Sequence, residues 1–149
     1  MHITQESDYA VRIVYCLARS GVRMDARTIS GEMQVTLRFT LKILGKLAQA
    51  NIVNSYKGNR GGYELARPAK DVSLLDVIVA VEGPYRLSRC IGDNEESCGC
   101  SMGDSGCCAF KHVFGRISES INQQLQEVNF AQLLEDKCQK QHTPPSVSR

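Results

Sequence analysis

The stretch TLRFTLKILGKLAQANIVNSYKGNRGGYELARP, residues 36–68, decides the fold of this chain. In its first half, apolar residues recur at the spacing of an amphipathic helix, and cations fall on another face of that helix. The predicted apolar stripe is Leu37, Leu41, Leu44 and Leu47, and the cations are Arg38, Lys42 and Lys46. From Ile52 the pattern becomes extended on both sides of a glycine-rich turn, which predicts a β-hairpin.

Two further helices are predicted upstream of this stretch. Residues 4–20 form the first, with Thr4 as its cap, and after Gly21 a short second helix is capped by Asp25. The second and third helices, joined by a tight turn, meet the requirements of a helix-turn-helix, in which one helix braces the other in the major groove of DNA. We therefore predict a mainly α fold with a small β-hairpin wing: a winged helix-turn-helix plus a long dimerisation helix.

The candidate DNA-binding residues lie on the third helix and on the tip of the hairpin. The helix residues, which would face the major groove, are Thr36, Arg38, Phe39 and Lys42. The wing residues, which would hold adjacent phosphates or the minor groove, are Lys57, Asn59, Arg60, Gly61 and Gly62. Glycine lets backbone N–H groups approach phosphates closely, and the neighbouring cations add charge. A flexible solvated turn is the alternative explanation of this tip.

The distribution of charge supports a polyanionic partner. Residues 1–70 carry 11 Lys and Arg against 5 Asp and Glu, whereas residues 71–149 carry 7 against 11. Such asymmetry favours nucleic acid, although a solvated charged surface would give the same counts. No apolar run approaches the roughly 18 residues that a membrane span needs, and the amino-terminal residues are polar where a secretory signal would be apolar. We therefore expect a cytoplasmic protein with no membrane partner.

The rest of the chain is predicted to alternate helices with irregular segments. Residues 73–81 form a nearly all-apolar helix, and a long helix begins near residue 109. The long helix carries Val113, Ile117, Ile121 and Leu125 at four-residue spacing. We interpret it as a dimer helix; the alternative is packing on its own subunit. The predicted organisation is a DNA-binding domain at 1–84, a cysteine-rich loop at 85–108, a dimerisation helix with a short terminal helix at 109–136, and a disordered tail at 137–149.

Five of the seven cysteines fall within 19 residues: Cys90, Cys98, Cys100, Cys107 and Cys108. Because a reducing compartment disfavours structural disulfides, we interpret the cluster as metal ligands or redox thiols. Spacing alone leaves an iron-sulfur cluster, a zinc site and a thiol-disulfide switch open. A small thiol oxidoreductase using the Cys98-Gly-Cys100 pair is a rival from another class, but it leaves the winged-helix half unexplained. We therefore expect a regulator and not an enzyme, with Cys16 in the core.

Three motifs match those of a known family: ESDYAVR at 6–12, GNRGGYELA at 58–66 and LLDVIVAVEGP at 74–84. With them the chain resembles the Rrf-two (Rrf2) family of bacterial winged-helix transcription regulators of the IscR, NsrR and RirA type, over roughly residues 1–136. The resemblance implies a homodimer on palindromic promoter DNA, commonly acting as a repressor. It also implies a 2Fe-2S or 4Fe-4S cluster that senses nitric oxide, iron, redox state or cluster supply and controls DNA binding.

The chain departs from the family pattern in its wing and in its cysteines. Lys57-Gly58 stands where the family usually has Arg-Gly, and Asn59-Arg60 where it often has Pro-Gly, which implies a different preference among DNA sites. The three family cysteines also lie closer together. Cys90 matches the first of them and Cys108 the last, so the resemblance implies Cys98 or Cys100 as the middle ligand and Cys107 as a replacement or an extra thiol.

The resemblance leaves the fourth cluster ligand open. Lys111 stands where IscR-type members have a histidine, and His112 is one residue further on. Asp8 matches an aspartate that ligates the cluster in NsrR-type members, apparently from the partner subunit. Asp8 could equally pair with the positive end of the first helix. A set of four thiols from the loop is the remaining alternative.

Overall fold

The computed structural model describes residues 3–84, 86, 87 and 109–136. Its helices are α1 (Gln5–Ser20), α2 (Ala26–Met33), α3 (Leu37–Gln49), α4 (Leu74–Glu82), α5 (Ala109–Glu127) and α6 (Phe130–Glu135). An antiparallel hairpin of β1 (Val53–Tyr56) and β2 (Gly62–Leu65) follows α3, and a 3-10 turn (Ala69–Asp71) precedes α4. This mainly helical architecture with a two-stranded hairpin confirms the predicted fold class.

The first two helices begin at their predicted caps, and the third begins at Thr36, which was not predicted as a cap. The Thr4 hydroxyl accepts from the Ser7 amide, and an Asp25 carboxylate oxygen accepts from the Arg27 and Thr28 amides. These contacts satisfy N–H groups that the first turn of a helix leaves without partners. Thr36 does the same for α3, so a residue predicted to meet DNA also fixes where the recognition helix starts.

The hydrophobic core lies between α1, α3, α4 and α6 and extends beneath the hairpin. Its largest fully buried side chains are Phe130, Ile13, Leu17, Ile29, Ile43, Leu44, Leu47, Ile52, Val14, Val53, Val72 and Val77. Phe130 anchors the short helix α6 against this core, and the Phe130 amide donates to the Val72 carbonyl over 3.1 Å. The helix-turn-helix, the hairpin and α6 therefore share a single core.

The buried face of α3 differs from the predicted leucine stripe. Thr40, Ile43, Leu44 and Leu47 are buried, whereas Leu41 is 44% exposed. Inclusion of Leu41 in the inward face was therefore wrong. At 3.6 residues per turn Leu41 lies about 160° round the helix from Ile43, so the two cannot both face the core. The core selects Ile43, and Leu41 joins the outer face with Arg38 and Lys42.

The hairpin is joined to the helix-turn-helix by backbone hydrogen bonds. Val53 pairs with Leu65 at its base and Tyr56 with Gly62 near its tip. Met24, in the connection between α1 and α2, pairs with Tyr63: the Met24 amide donates to the Tyr63 carbonyl over 2.9 Å, and the Tyr63 amide donates back over 2.8 Å. The wing thus packs against the segment that precedes α2.

The carboxyl-terminal part of the described chain contains the predicted long helix. Helix α5 packs against α4, and four large apolar side chains on one of its faces remain exposed: Phe110, Val113, Phe114 and Ile117. Their spacing of three and four residues places them on one stripe. Within the described residues, no helix combines the length and apolar character needed to cross a bilayer.

Candidate nucleic-acid interface

The outer face of α3 presents two of the four predicted recognition side chains as exposed cations. Arg38 and Lys42 are exposed on this helix. Phe39 is only partly exposed, because its ring packs edge-on against Tyr9, with ring centroids 5.7 Å apart and an interplanar angle of 82°. Thr36 caps the helix. An open groove of about 620 Å³ runs beside these residues, between α1 and the start of α3.

A carboxylate that the sequence analysis did not single out restrains Lys42. The Glu6 side chain lies between two lysines of α3: Oε2 is 3.3 Å from Lys42 Nζ, and Oε1 is 2.8 Å from Lys46 Nζ. The hydrogen bond from Lys46 is the main cause that lowers the pKa of Glu6; burial opposes it and Lys42 adds to it. An ionised carboxylate therefore sits within the cationic face, and a phosphate that binds Lys42 has to compete with it.

The wing presents its cations at an exposed tip. Lys57, Asn59 and Arg60 are all exposed, as the sequence analysis expected of a surface loop. The Gly61 amide donates to the Gly58 carbonyl over 2.9 Å, so this N–H closes the turn of the wing. The cationic side chains of the tip, rather than that amide, are open to a ligand.

Close packing also explains why glycine occupies positions 61 and 62. A Cβ on Gly61 would lie 2.6 Å from the Tyr56 carbonyl oxygen. Gly62 has φ of +150°, and a Cβ there would lie 2.7 Å from the Met24 carbonyl oxygen. These glycines let the hairpin fold on itself and against the Met24 backbone. Phosphate approach, the reason given from the sequence, stays a prediction.

A second group missed by the sequence analysis surrounds the base of the tip. The Arg23 guanidinium carbon lies 3.4 Å from the centroid of the Tyr56 ring, and Arg23 Nε lies 3.4 Å from Glu64 Oε2. The Tyr56 hydroxyl donates to Glu64 Oε1 over 2.7 Å; this bond raises the pKa of Tyr56 and lowers that of Glu64. Arg23 is separated from its partners by more than 30 residues of sequence, so periodicity could not have found this group.

The predicted metal ligands are only partly within the described chain. Cys90, Cys98, Cys100, Cys107 and Cys108 lie outside the described residues. Asp8 is described: its carboxylate forms an exposed ion pair with Arg12 over 3.0 Å. Within residues 3–84, 86, 87 and 109–136, no three His, Cys, Asp or Glu side chains gather as a metal site. The assignment of Asp8 and of the five cysteines as ligands stays a prediction.

Cys16 is a core thiol, as the apolar stripe of α1 predicted. It is fully buried, and its Sγ donates to Glu32 Oε2 over 3.2 Å. Burial, followed by this hydrogen bond to a carboxylate, raises the pKa of Cys16 to about 11. The thiol therefore stays protonated at neutral pH and is a poor nucleophile.

Known relatives are similar in sequence to about two-thirds of this chain. Protein aau3 of Rhizobium meliloti (strain 1021) is 32% identical over 99 residues, which are 66% of this chain and 64% of that protein. MT1325 of Mycobacterium tuberculosis (strain CDC 1551 / Oshkosh), described as an HTH-type transcriptional regulator, is 34% identical over 94 residues, or 62% of this chain and 58% of that protein. The chain thus spans about three-fifths of the length of these relatives.

Solved structures share the fold over most of the chain. IscR of T. potens superposes with a TM-score of 0.71 at 21% identity and covers 91% of this chain and 88% of its own. CymR, the global cysteine regulator of B. subtilis, gives a TM-score of 0.70 at 20% identity and covers 91% of this chain and 97% of its own. These similarities confirm the winged helix-turn-helix.

The family itself follows from the sequence as a whole. Residues 3–136 match the sequence model of the Rrf2 family, described as an iron-dependent transcriptional regulator. The match includes the helix-turn-helix, the wing, the cysteine-rich segment and α5. The chain therefore belongs to the Rrf2 family of helix-turn-helix transcriptional regulators.

Proposed function

We propose that this regulator is a homodimeric repressor that binds a palindromic promoter site through α3 and the wing, under the control of an iron-sulfur cluster held by the cysteine-rich segment. The observation that carries the proposal is the exposure of two cationic surfaces in the basic half of the chain, Arg38 and Lys42 on α3 and Lys57 and Arg60 on the wing. Recognition by a winged helix needs both surfaces at once, because the helix reads bases while the wing holds the backbone.

The relative placement of helix and wing supports simultaneous contact with DNA. Helix α3 ends at Gln49 and β1 begins at Val53, so both elements leave a common base. Ile52 and Val53 are buried in that base. The pairing of Met24 with Tyr63 fixes the other strand to the segment before α2. The distance between the recognition helix and the wing is therefore set by the core rather than by a flexible linker.

The apolar face of α5 supports dimerisation through a second copy of the chain. Phe110 is 70% exposed, Val113 51% and Ile117 43%, and an apolar stripe of this size on one helix is typical of an interface. A two-fold dimer presents the same stripe from both subunits. A palindromic site with half-sites about one turn of DNA, roughly 34 Å, apart requires such a two-fold pair of recognition helices.

The chemistry of the loop supports an iron-sulfur cluster as the controlling group. Thiolates suit iron because they are soft, anionic donors, and five cysteines within 19 residues provide more than the four that a cluster needs. The cysteine-rich segment connects α4 of the DNA-binding unit to α5. When bound, a cluster supplies a redox- and nitric-oxide-sensitive cross-link of that segment. Asp8 keeps a half-exposed carboxylate that could provide an oxygen ligand.

A second candidate is a zinc or thiol switch in the same fold. The surplus of cysteines, which includes the adjacent pair Cys107 and Cys108, favours it. The structural similarity to CymR, a cysteine regulator, also favours it. Four thiolates also suit zinc. The two candidates predict the same DNA-binding surface but different bound metals.

Anaerobic purification tests the proposal. We expect a coloured protein that contains iron and sulfide, sediments as a dimer and shifts a duplex from its own upstream region. Removing the cluster should change the affinity for a site with two half-sites much more than for one half-site. If the purified protein contains zinc or metal-free thiols instead of iron and sulfide, the second candidate is correct. A colourless monomer with no affinity for duplex DNA at low salt would overturn the whole proposal.

A further inference from the structure

One arginine outside both DNA-binding surfaces contacts three parts of the wing. Arg23 lies in the connection between α1 and α2, where its guanidinium covers the Tyr56 ring at 3.4 Å. Its Nε reaches Glu64 at 3.4 Å, and its Nη1 donates to the Arg60 carbonyl over 3.3 Å. Tyr56 belongs to β1, Glu64 to β2 and Arg60 to the turn. A single side chain thus joins both strands and the tip.

The backbone around Arg23 lies equally close to the wing. Met24 pairs with Tyr63 through two hydrogen bonds, and a Cβ on Gly62 would lie 3.0 Å from the Arg23 Cγ. Residues 23 and 24 therefore pack along β2 beside the distal half of the hairpin. We refer to Arg23, Tyr56 and Glu64 together as the wing clasp.

The wing needs such support because its own packing is slight. Each strand has four residues, and in β1 only Val53 is buried. A two-stranded hairpin of this length is marginal in water, so its tip would sample many orientations without outside contacts. If the cations of the wing have to be ordered when DNA binds, the affinity of the protein for DNA falls. The wing clasp orders the wing before DNA binds, so this cost is avoided.

The contacts of Arg23 with the wing engage one face of its guanidinium and two of its five N–H donors. Tyr56 covers that face, Nε is directed to Glu64 and Nη1 to the Arg60 carbonyl. The charge of Glu64 offsets that of Arg23. This arrangement differs from Lys57 and Arg60, whose side chains extend from the exposed tip.

We propose that Arg23 is a positioning residue for DNA binding: it holds the wing in the orientation that presents Lys57, Asn59 and Arg60, and does not itself contact a phosphate. The inference rests on the proposed function only in assigning the wing to DNA. A lysine at this position would keep the charge but would lose the planar stacking and the forked donors. Charge and positioning can therefore be separated by substitution.

The test compares the variants Arg23→Lys and Arg23→Gln with the wild-type protein. Hydrogen exchange at the amides of residues 62–65, measured without DNA, reports the order of the wing. We expect exchange there to rise about tenfold in both variants, whereas amides of α4 stay protected and show that the core is intact. Arg27→Lys is the matched control, since Arg27 is an exposed arginine at the start of α2 and takes no part in the clasp.

Salt-dependent DNA binding completes the test. We expect both Arg23 variants to bind about three- to tenfold more weakly with an unchanged slope of log K against log salt, because no phosphate contact is lost. A direct phosphate contact predicts instead that Arg23→Lys binds normally and that Arg23→Gln loses about 0.9 of slope. Unchanged exchange in both variants, or faster exchange with unchanged affinity, would also overturn the positioning role. Failure of the wild-type protein to bind DNA would count against the proposed function alone, because the exchange result does not depend on DNA.

Discussion

Replacing Glu6 with glutamine should strengthen DNA binding. Glu6 holds Lys42 through an ion pair of 3.3 Å and holds Lys46 through one of 2.8 Å. The substitution keeps the size of the side chain but removes its charge, so Lys42 no longer has to leave an anionic partner before it meets a phosphate. Lys46 keeps its hydrogen bond to the Val81 carbonyl, 2.8 Å long, and its position should change little.

The size of the gain follows from the exposure of the pair. The side chain of Lys42 is 55% exposed, so its ion pair with Glu6 is worth about 0.2–1 kcal/mol. Releasing it should raise the affinity up to about fivefold, since 1.4 kcal/mol corresponds to a factor of ten. The slope of log K against log salt should stay unchanged, because Lys42 neutralises the same phosphate in both proteins.

Fluorescence anisotropy with a labelled duplex between 50 and 200 mM salt, the range over which phosphate contacts dominate, would measure both quantities. Glu32→Gln is the control, because Glu32 also belongs to the basic half but pairs with Arg19 of α1 at 2.6 Å and not with a lysine of α3. An equal gain in both variants would mean that only net charge matters. No gain for Glu6→Gln would show that Glu6 does not compete with DNA for Lys42, and the reasoning would fail.

Four other experiments probe the site and the fold. Lys42→Glu and Arg60→Glu should each weaken promoter binding and flatten its salt dependence by about 0.9 in slope or more; unchanged binding by both would remove the assignment of α3 and the wing to DNA. Ile117→Glu should dissociate the proposed dimer in sedimentation experiments, whereas Glu119→Lys, on the other side of α5, should leave it intact. Gly62→Ala should lower the free energy of unfolding by about 1–3 kcal/mol in urea titrations, because it combines a positive φ with a backbone clash; Gly58→Ala, which meets no atom within 4 Å, should be milder. Cys16, with a pKa of about 11, is only about 0.1% thiolate at pH 8 and should resist iodoacetamide in the native protein but not in urea, as mass spectrometry of its peptide would show; rapid native labelling would contradict its burial.

Local signals were sufficient to predict the elements of this fold. Thr4 and Asp25 were predicted as caps from the apolar periodicity that follows them, and each caps the helix that begins there. The glycine-rich turn between two extended runs likewise predicted the hairpin. These signals work because capping and turn formation depend on neighbours a few residues away in the chain. Interactions between residues this close in the chain leave patterns that can be recognised in a single sequence.

The contacts that tune the site could not be predicted in this way. Leu41 and Ile43 are equally apolar, and only the packing of α3 against the other helices decides that Ile43 faces inward. The pairing of Glu6 with Lys42 joins residues 36 positions apart, and that of Arg23 with Glu64 joins residues 41 positions apart. No periodicity connects such residues.

The carboxyl end of α4 is bonded to both helices that carry the Glu6 pair. The Val81 carbonyl accepts a hydrogen bond from Lys46 of α3, and Glu82 accepts one from the Thr4 hydroxyl at the start of α1. Lys46 in turn pairs with Glu6, and Glu6 pairs with Lys42. The cysteine-rich segment begins just after α4, so a rearrangement there that displaces the end of α4 also changes the contacts of Lys46 and, through Glu6, the anion that competes with DNA for Lys42.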